Sequence, residues 1–208
     1  MRADAAPPRA LRRLTQLHAG LVLFGLGASA QLLAGLGNSP WDVLHQGLAR
    51  TFGLTVGAWV FIVGALVLLA WIPLRERPGI GTISNVVVIS IVVEIMLSAF
   101  GPAHGIVVRI ALLVGGVLAS GVAVGLYLGA DLGPGPRDGL MTAFVKRGHS
   151  MRVVRTTIEV TVLLAGTLLG GTVGVGTLLF ALAIGPLAHL TVPFFAVAPA
   201  PEPAPAPA

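Results

Sequence analysis

Six apolar runs of about 20 residues each constrain this chain more than any other feature: residues 17–36, 54–72, Ile80–Ala99, 106–128, 153–169 and 173–195. A helix rises about 1.5 Å per residue, so each run matches the roughly 30 Å hydrocarbon core of a bilayer. Charged residues make up only 10% of the 208, against 55% hydrophobic and a mean hydropathy of +0.93. A water-soluble domain carries about a quarter charged residues, so this surface is made for lipid, and what lies between the runs is too short for a soluble domain. The fold class is all-α: a polytopic membrane helix bundle. Arg12 and Arg13 ahead of Ala28-Ser29-Ala30 also fit a secretory leader. The apolar run continues past that site and has an internal copy, so it is read as a span.

The basic residues set the orientation. Arg2, Arg9, Arg12, Arg13, Arg75, Arg77, Arg137, Lys146, Arg147, Arg152 and Arg155 fall on one side of the six spans, and only Arg50 and Arg109 on the other. That bias puts both termini in the cytoplasm. It also explains the net charge of +5 as a topology signal, with no nucleic-acid partner implied. The expected organisation is a cytoplasmic tail over 1–16, a first membrane repeat over 17–100, a second over 101–195, and a disordered Pro/Ala-rich cytoplasmic tail over 196–208.

The two repeats are read from a shift of the sequence along itself. At an offset of 96, Leu36-Gly37-Asn38-Ser39-Pro40-Trp41-Asp42-Val43-Leu44 falls on Leu132-Gly133-Pro134-Gly135-Pro136-Arg137-Asp138-Gly139-Leu140. At 95, Gly79-Ile80-Gly81-Thr82 falls on Gly174-Val175-Gly176-Thr177. Two separated motifs at a near-constant spacing point to duplication. Three spans per half is an odd number, so the halves enter the membrane from opposite sides as inverted repeats. The stretches 40–51 and 136–147 reach only about 18 Å as helix, too short to cross, and are expected as re-entrant or interfacial helices.

Ser39-Pro40-Trp41-Asp42 has the order of a helix start, with Ser39 as cap, Pro40 in the first turn and Asp42 near the exposed N–H groups; Gly135-Pro136-Arg137-Asp138 repeats it. Both aspartates either start short helices or line a central cavity at broken-helix N-termini, where their charge favours cations, protons or neutral solutes. Ionisable groups inside spans are costly and need partners or a purpose. Glu94 has none nearby in sequence, and Arg109 is within reach across the bundle. Arg155 and Glu159 share a helical face as an ion pair, and Asn85 serves as helix–helix glue or as a pathway residue. The candidate pathway is therefore Asp42, Asp138, Glu94, Glu159, Arg155 and Asn85. Gly121, Gly125 and Gly129, and Gly166, Gly170 and Gly174, form small-residue ridges for packing inside the bundle, with a homo-oligomer left open. Gly185-Pro186 and Pro193 predict a kink in the last span. The five His are scattered, there is no Cys, and no nucleophile, paired-carboxylate or nucleotide-loop pattern stands out. Neither a metal, a cofactor nor an enzymatic activity is expected.

The combination of Pro40–Leu44 as P-W-D-x-L, the junction 79–85 and Pro136–Met141 as P-R-D-G-L-M resembles the YczE-like bacterial integral membrane proteins of the YczE/YyaS/YitT grouping. The resemblance implies a multi-pass protein of the bacterial inner membrane and brings neither a substrate nor catalytic residues. The function expected is a permease that moves a small solute, proton or cation by alternating access between the inverted repeats. The rival is a non-transporting membrane scaffold or accessory protein whose polar residues only cap and glue helices.

Overall fold

A computed structural model describes residues 8–197, which form eight helices and no strand among the described residues. They are α1 (Pro8–Ala34), α2 (Pro40–Phe52), α3 (Val56–Leu74), α4 (Ile80–Ala99), α5 (Ile106–Gly129), α6 (Pro136–Val145), α7 (Met151–Leu168) and α8 (Val175–Phe195). Five of them, α1, α3, α4, α5 and α8, are long and apolar enough to cross a membrane. The chain is thus an all-α, multi-pass bundle. Helix α7, expected as a span, carries Arg152, Arg155 and Glu159 in its first half and is less apolar. The short helices α2 and α6 start at the expected prolines.

Helix α1 takes in part of the stretch expected as an N-terminal tail, because nothing after Pro8 breaks helical geometry until the first span is under way. The C-terminal tail expectation falls on 198–208, outside the described residues. Helix α8 runs on through Pro186 and Pro193.

Without a hydrophobic drive between helices in lipid, close backbone approach decides the packing. Helices α1 and α5 cross at the centre and run antiparallel. A methyl group added at Gly20 would lie 2.8 Å from Leu126 Cβ, and one at Gly116 would lie 2.7 Å from the Gly27 carbonyl oxygen and 3.2 Å from Ala30 Cβ. These two contacts map onto each other under the shift of 96 read from the sequence. Helix α4 packs on α1 and α8 on α5, again in matched fashion. Gly25 faces Val92, and Gly121 faces Leu187, at 2.7 and 2.6 Å from an added methyl. The expected ridge Gly121, Gly125, Gly129 lies against Leu187, Thr191 and Phe195, so it works inside the chain.

The two loop–span junctions dock in the same reciprocal way. The Gly81 N–H donates to the Leu132 carbonyl at 2.8 Å, and the Gly176 N–H to the Leu36 carbonyl at 2.9 Å. Thr82 and Thr177 each accept from the capping glycine's N–H, Gly79 and Gly174, at 3.2 Å. The loops they meet turn at Gly37 (φ 111°) and Gly133 (φ 114°), where a side chain would be strained. Around this frame α2 packs along α7, and α6 packs along α3. The second contact is looser because Trp71 stands over Gly139, whereas at the other the backbones of Gly166 and Val43-Leu44 touch directly.

Leu17, Leu21, Val93, Val124 and Ile184 fill the core, with Tyr127 at one end. The outer faces are apolar as well: Val107, Leu182 and Phe194 are 77%, 67% and 81% exposed. Such a belt is tolerable only against lipid.

Candidate functional site

Helix α2 begins with Ser39, whose Oγ accepts from the Asp42 N–H at 3.3 Å and donates to Asp42 Oδ2 at 2.6 Å. His45, one turn on, places Nδ1 3.4 Å from Asp42 Oδ1 and is fully buried. The other end of α2 is at the surface, where Arg50 reaches the Gly170 carbonyl and Thr172 Oγ1. Helix α6 is built alike. Gly135 and Pro136 open it in the interior, and its far end is exposed, with Lys146 Nζ 2.7 Å from Glu76 Oε2 and Arg147 donating to the Leu74 carbonyl at 2.7 Å. Trp71 Nε1 donates to the Pro136 carbonyl at 3.1 Å and holds the start of α6 in place. Both short helices therefore point their N-termini, the positive ends of their dipoles, into the protein.

The two N-termini meet at one cavity of about 200 Å³. Its polar part is lined by Ser39, Trp41, His45, Asn85, Tyr127, Arg137, Asp138, Arg155 and Glu159, and its apolar wall includes Val60, Val63, Val86, Ile89, Val124 and Ile184. In its lining the Arg137 guanidinium sits 4.6 Å from the Trp41 ring centroid. Trp41 and Arg137 occupy the same place in the two motifs, so equivalent positions of the two halves touch each other. A cation over an indole face recovers part of its lost hydration. Tyr127 donates its O–H to Asp138 Oδ2 at 3.0 Å, and Arg155 Nε lies 2.9 Å from Glu159 Oε1.

Of the candidate pathway residues, Asp138, Glu159, Arg155 and Asn85 come together here with the motif residues Pro40, Trp41, Pro136 and Arg137. Asp42 sits just behind the wall, engaged by Ser39 and His45. Glu94 does not join them: it lies in a separate shallow groove between α3 and α4, beside Gly57 and Ser90. Arg109 does not reach it either, because its guanidinium is used at the end of α1, donating to the Ala34 and Gly35 carbonyls at 2.7 and 2.9 Å. Gly79, Gly81, Thr82, Gly174, Gly176 and Thr177 hold the two halves together and lie outside the cavity. Among the described residues no group of three or more His, Cys, Asp or Glu could hold a metal.

Arg137, His45 and Tyr127 line the cavity but are not among the candidate pathway residues. Arg137 counts as a cytoplasmic loop charge by sequence, yet the start of α6 carries it inward. His45 is one of several scattered histidines. Tyr127 is the sole Tyr in the chain. It falls 96 positions after Gln31, another buried polar residue in an otherwise apolar span, and that match was the available signal.

Comparison with known proteins agrees with this architecture. The profile of a family of unknown function, DUF6198, matches residues 11–193. An uncharacterised protein of Haemophilus influenzae is 39% identical, covering 86% of this chain and 83% of its own length. The uncharacterised membrane protein YczE of Bacillus subtilis is 37% identical over 87% of this chain and 86% of its own. YyaS, from the same organism, is 26% identical over 84% and 89%. No solved structure matches the chain. A membrane bundle with this pair of motifs, matched along nearly its whole length by that profile and by YczE, belongs to the DUF6198 family of YczE-like membrane proteins.

Proposed function

We propose that this chain is a permease of the bacterial inner membrane, moving a small solute or ion by alternating access between two inverted three-span repeats. The observation that carries the reading is the cavity. Its wall is shared by both halves, and the N-termini of two short, non-crossing helices point into it. Broken-helix N-termini at a midplane site between inverted repeats are how many secondary transporters meet polar solutes. The antiparallel crossing of α1 and α5 and the reciprocal junction bonds support the inversion, since equivalent elements run in opposite directions. In this reading α7 is the sixth span. Its 18 residues reach about 27 Å, and its charged side chains Arg155 and Glu159 pair with each other and line the cavity while staying 44% and 30% exposed. Six crossings and the basic-residue bias put both termini in the cytoplasm. On this reading the polar groups of the lining bind the solute and let it move. The proposed partners are the lipid bilayer and the solute.

The test is uptake by purified protein in liposomes, scanned over small anions, cations and neutral solutes under an imposed proton gradient. Saturable uptake of one class, reduced in Asp138→Asn, is expected. Absence of protein-dependent flux for every class overturns the proposal.

A further inference from the structure

We infer that the solute is a small organic anion, a carboxylate with a compact apolar body, whose charged end is held by Arg137. The inference rests on the permease reading only for the statement that the bound molecule is carried; binding stands separately.

The acidic groups in and behind the cavity wall already have partners. Asp138 accepts from Tyr127, Glu159 is paired with Arg155, and Asp42 behind the wall is engaged by Ser39 and His45. Arg137 is different: among the described residues it makes no hydrogen bond, and no carboxylate oxygen lies within 4.0 Å of its nitrogens. The Trp41 ring centroid lies 4.6 Å from it, and the carboxylates of Asp42, Asp138 and Glu159 are near enough to act on its charge through space but lie beyond 4.0 Å of its nitrogens. A ring face offers no lone pair, so the five N–H donors of the guanidinium are left for a ligand. A planar fork of donors matches a carboxylate, which can accept two parallel hydrogen bonds. The two helix N-termini aimed at the same space add positive potential and unpaired backbone N–H groups.

The rest of the cavity selects the body of the ligand. Val60, Val63, Val86, Ile89, Val124 and Ile184 supply apolar lining to the same cavity. A volume of about 200 Å³ is roughly seven waters' share of liquid, enough for a short chain or small ring. Inorganic phosphate would satisfy Arg137 but leave this wall against water. An alkyl ammonium would fill the wall but put a second cation beside Arg137, while both acidic lining groups are already engaged. The sequence-based expectation of a cation or neutral solute weighed only the motif aspartates, and the structure shows each of those occupied.

The experiment uses the full chain in detergent and measures binding by calorimetry for four probes: hexanoate, hexanamide, hexylammonium and inorganic phosphate. Hexanoate is expected to bind more tightly than the other three. Arg137→Gln is expected to weaken hexanoate by about 10- to 100-fold, the loss typical of a charge-assisted hydrogen-bonded pair. Arg137→Lys should recover part of it, because it keeps the charge and loses the fork. If Arg137→Gln fails to fold, the ranking of the four probes on the unmodified chain decides alone. Hexanamide or hexylammonium binding as tightly as hexanoate overturns the inference, as does absence of hexanoate binding or an unchanged affinity in Arg137→Gln. Hexanoate that binds but is not carried into liposomes overturns the permease reading and leaves this one. Carriage of a cation without hexanoate binding does the reverse.

Discussion

Replacing Gly37 by Ala tests the reciprocal docking that joins the two halves. Gly37 has φ 111°, a region that costs an L-residue about 1–3 kcal/mol. The added methyl would also lie 2.6 Å from the Gly174 nitrogen and 2.8 Å from its Cα, both backbone atoms that cannot swing aside. Overpacking of this kind costs about 1–3 kcal/mol, so the sum is about 2–6 kcal/mol. The matched change, Gly133→Ala, starts from φ 114° and puts its methyl 2.9 Å from Thr82 Oγ1. That hydroxyl donates to the Pro134 carbonyl at 2.8 Å and is not free to turn, so the loss should fall in the same range. Gly101→Ala is the control, with nothing within 4 Å of the added methyl and an expected change within about 0.5 kcal/mol. The assay is reversible unfolding in mixed detergent micelles, followed by helical circular dichroism. A Gly37→Ala protein as stable as Gly101→Ala would refute the docking argument.

Other expectations concern the cavity and its supports. Tyr127→Phe removes the donor to Asp138 and should cost about 0.5–1.5 kcal/mol in the same unfolding assay, as a half-buried hydrogen bond is lost. Glu94→Gln should leave liposome uptake unchanged, because Glu94 lies in the outer groove, and a large loss would place the pathway elsewhere. Gly125→Leu should separate α5 from α8, since an added methyl already lies 2.5 Å from Thr191 Cβ. A loss of at least about 2 kcal/mol is expected, against little change if that face were free. Lys146→Ala breaks an exposed pair with Glu76 and should change stability by less than about 1 kcal/mol.

The sequence carried the architecture because its signals were local or periodic. Apolar length marked six runs, five of which are helices long and apolar enough to cross a membrane, and the prolines of the two motifs marked where α2 and α6 begin. The site was legible only in part. Asp138, Arg155, Glu159 and Asn85 stood out as polar groups in or beside apolar runs, and the cavity gathers them. Glu94 stood out on the same ground and lies elsewhere, since a lone carboxylate in a span does not say which face its helix turns to the bundle. Arg137 was hidden by its company: placed after a proline in a basic segment, it reads as a loop charge until the helix start carries it inward. Helix α7 shows the same difficulty in reverse, as two of the charges that lower its apolarity, Arg155 and Glu159, line the cavity.

The central claim is that both sides of the membrane reach this cavity in turn. The chain has no Cys, so single replacements report without background. Val63→Cys and Ala188→Cys place one thiol on the cavity wall from each half. Each would be treated with a membrane-impermeant maleimide, in right-side-out and in inverted vesicles. Alternating access predicts that both positions label from both sides. Labelling from one side alone, or from neither, would contradict it.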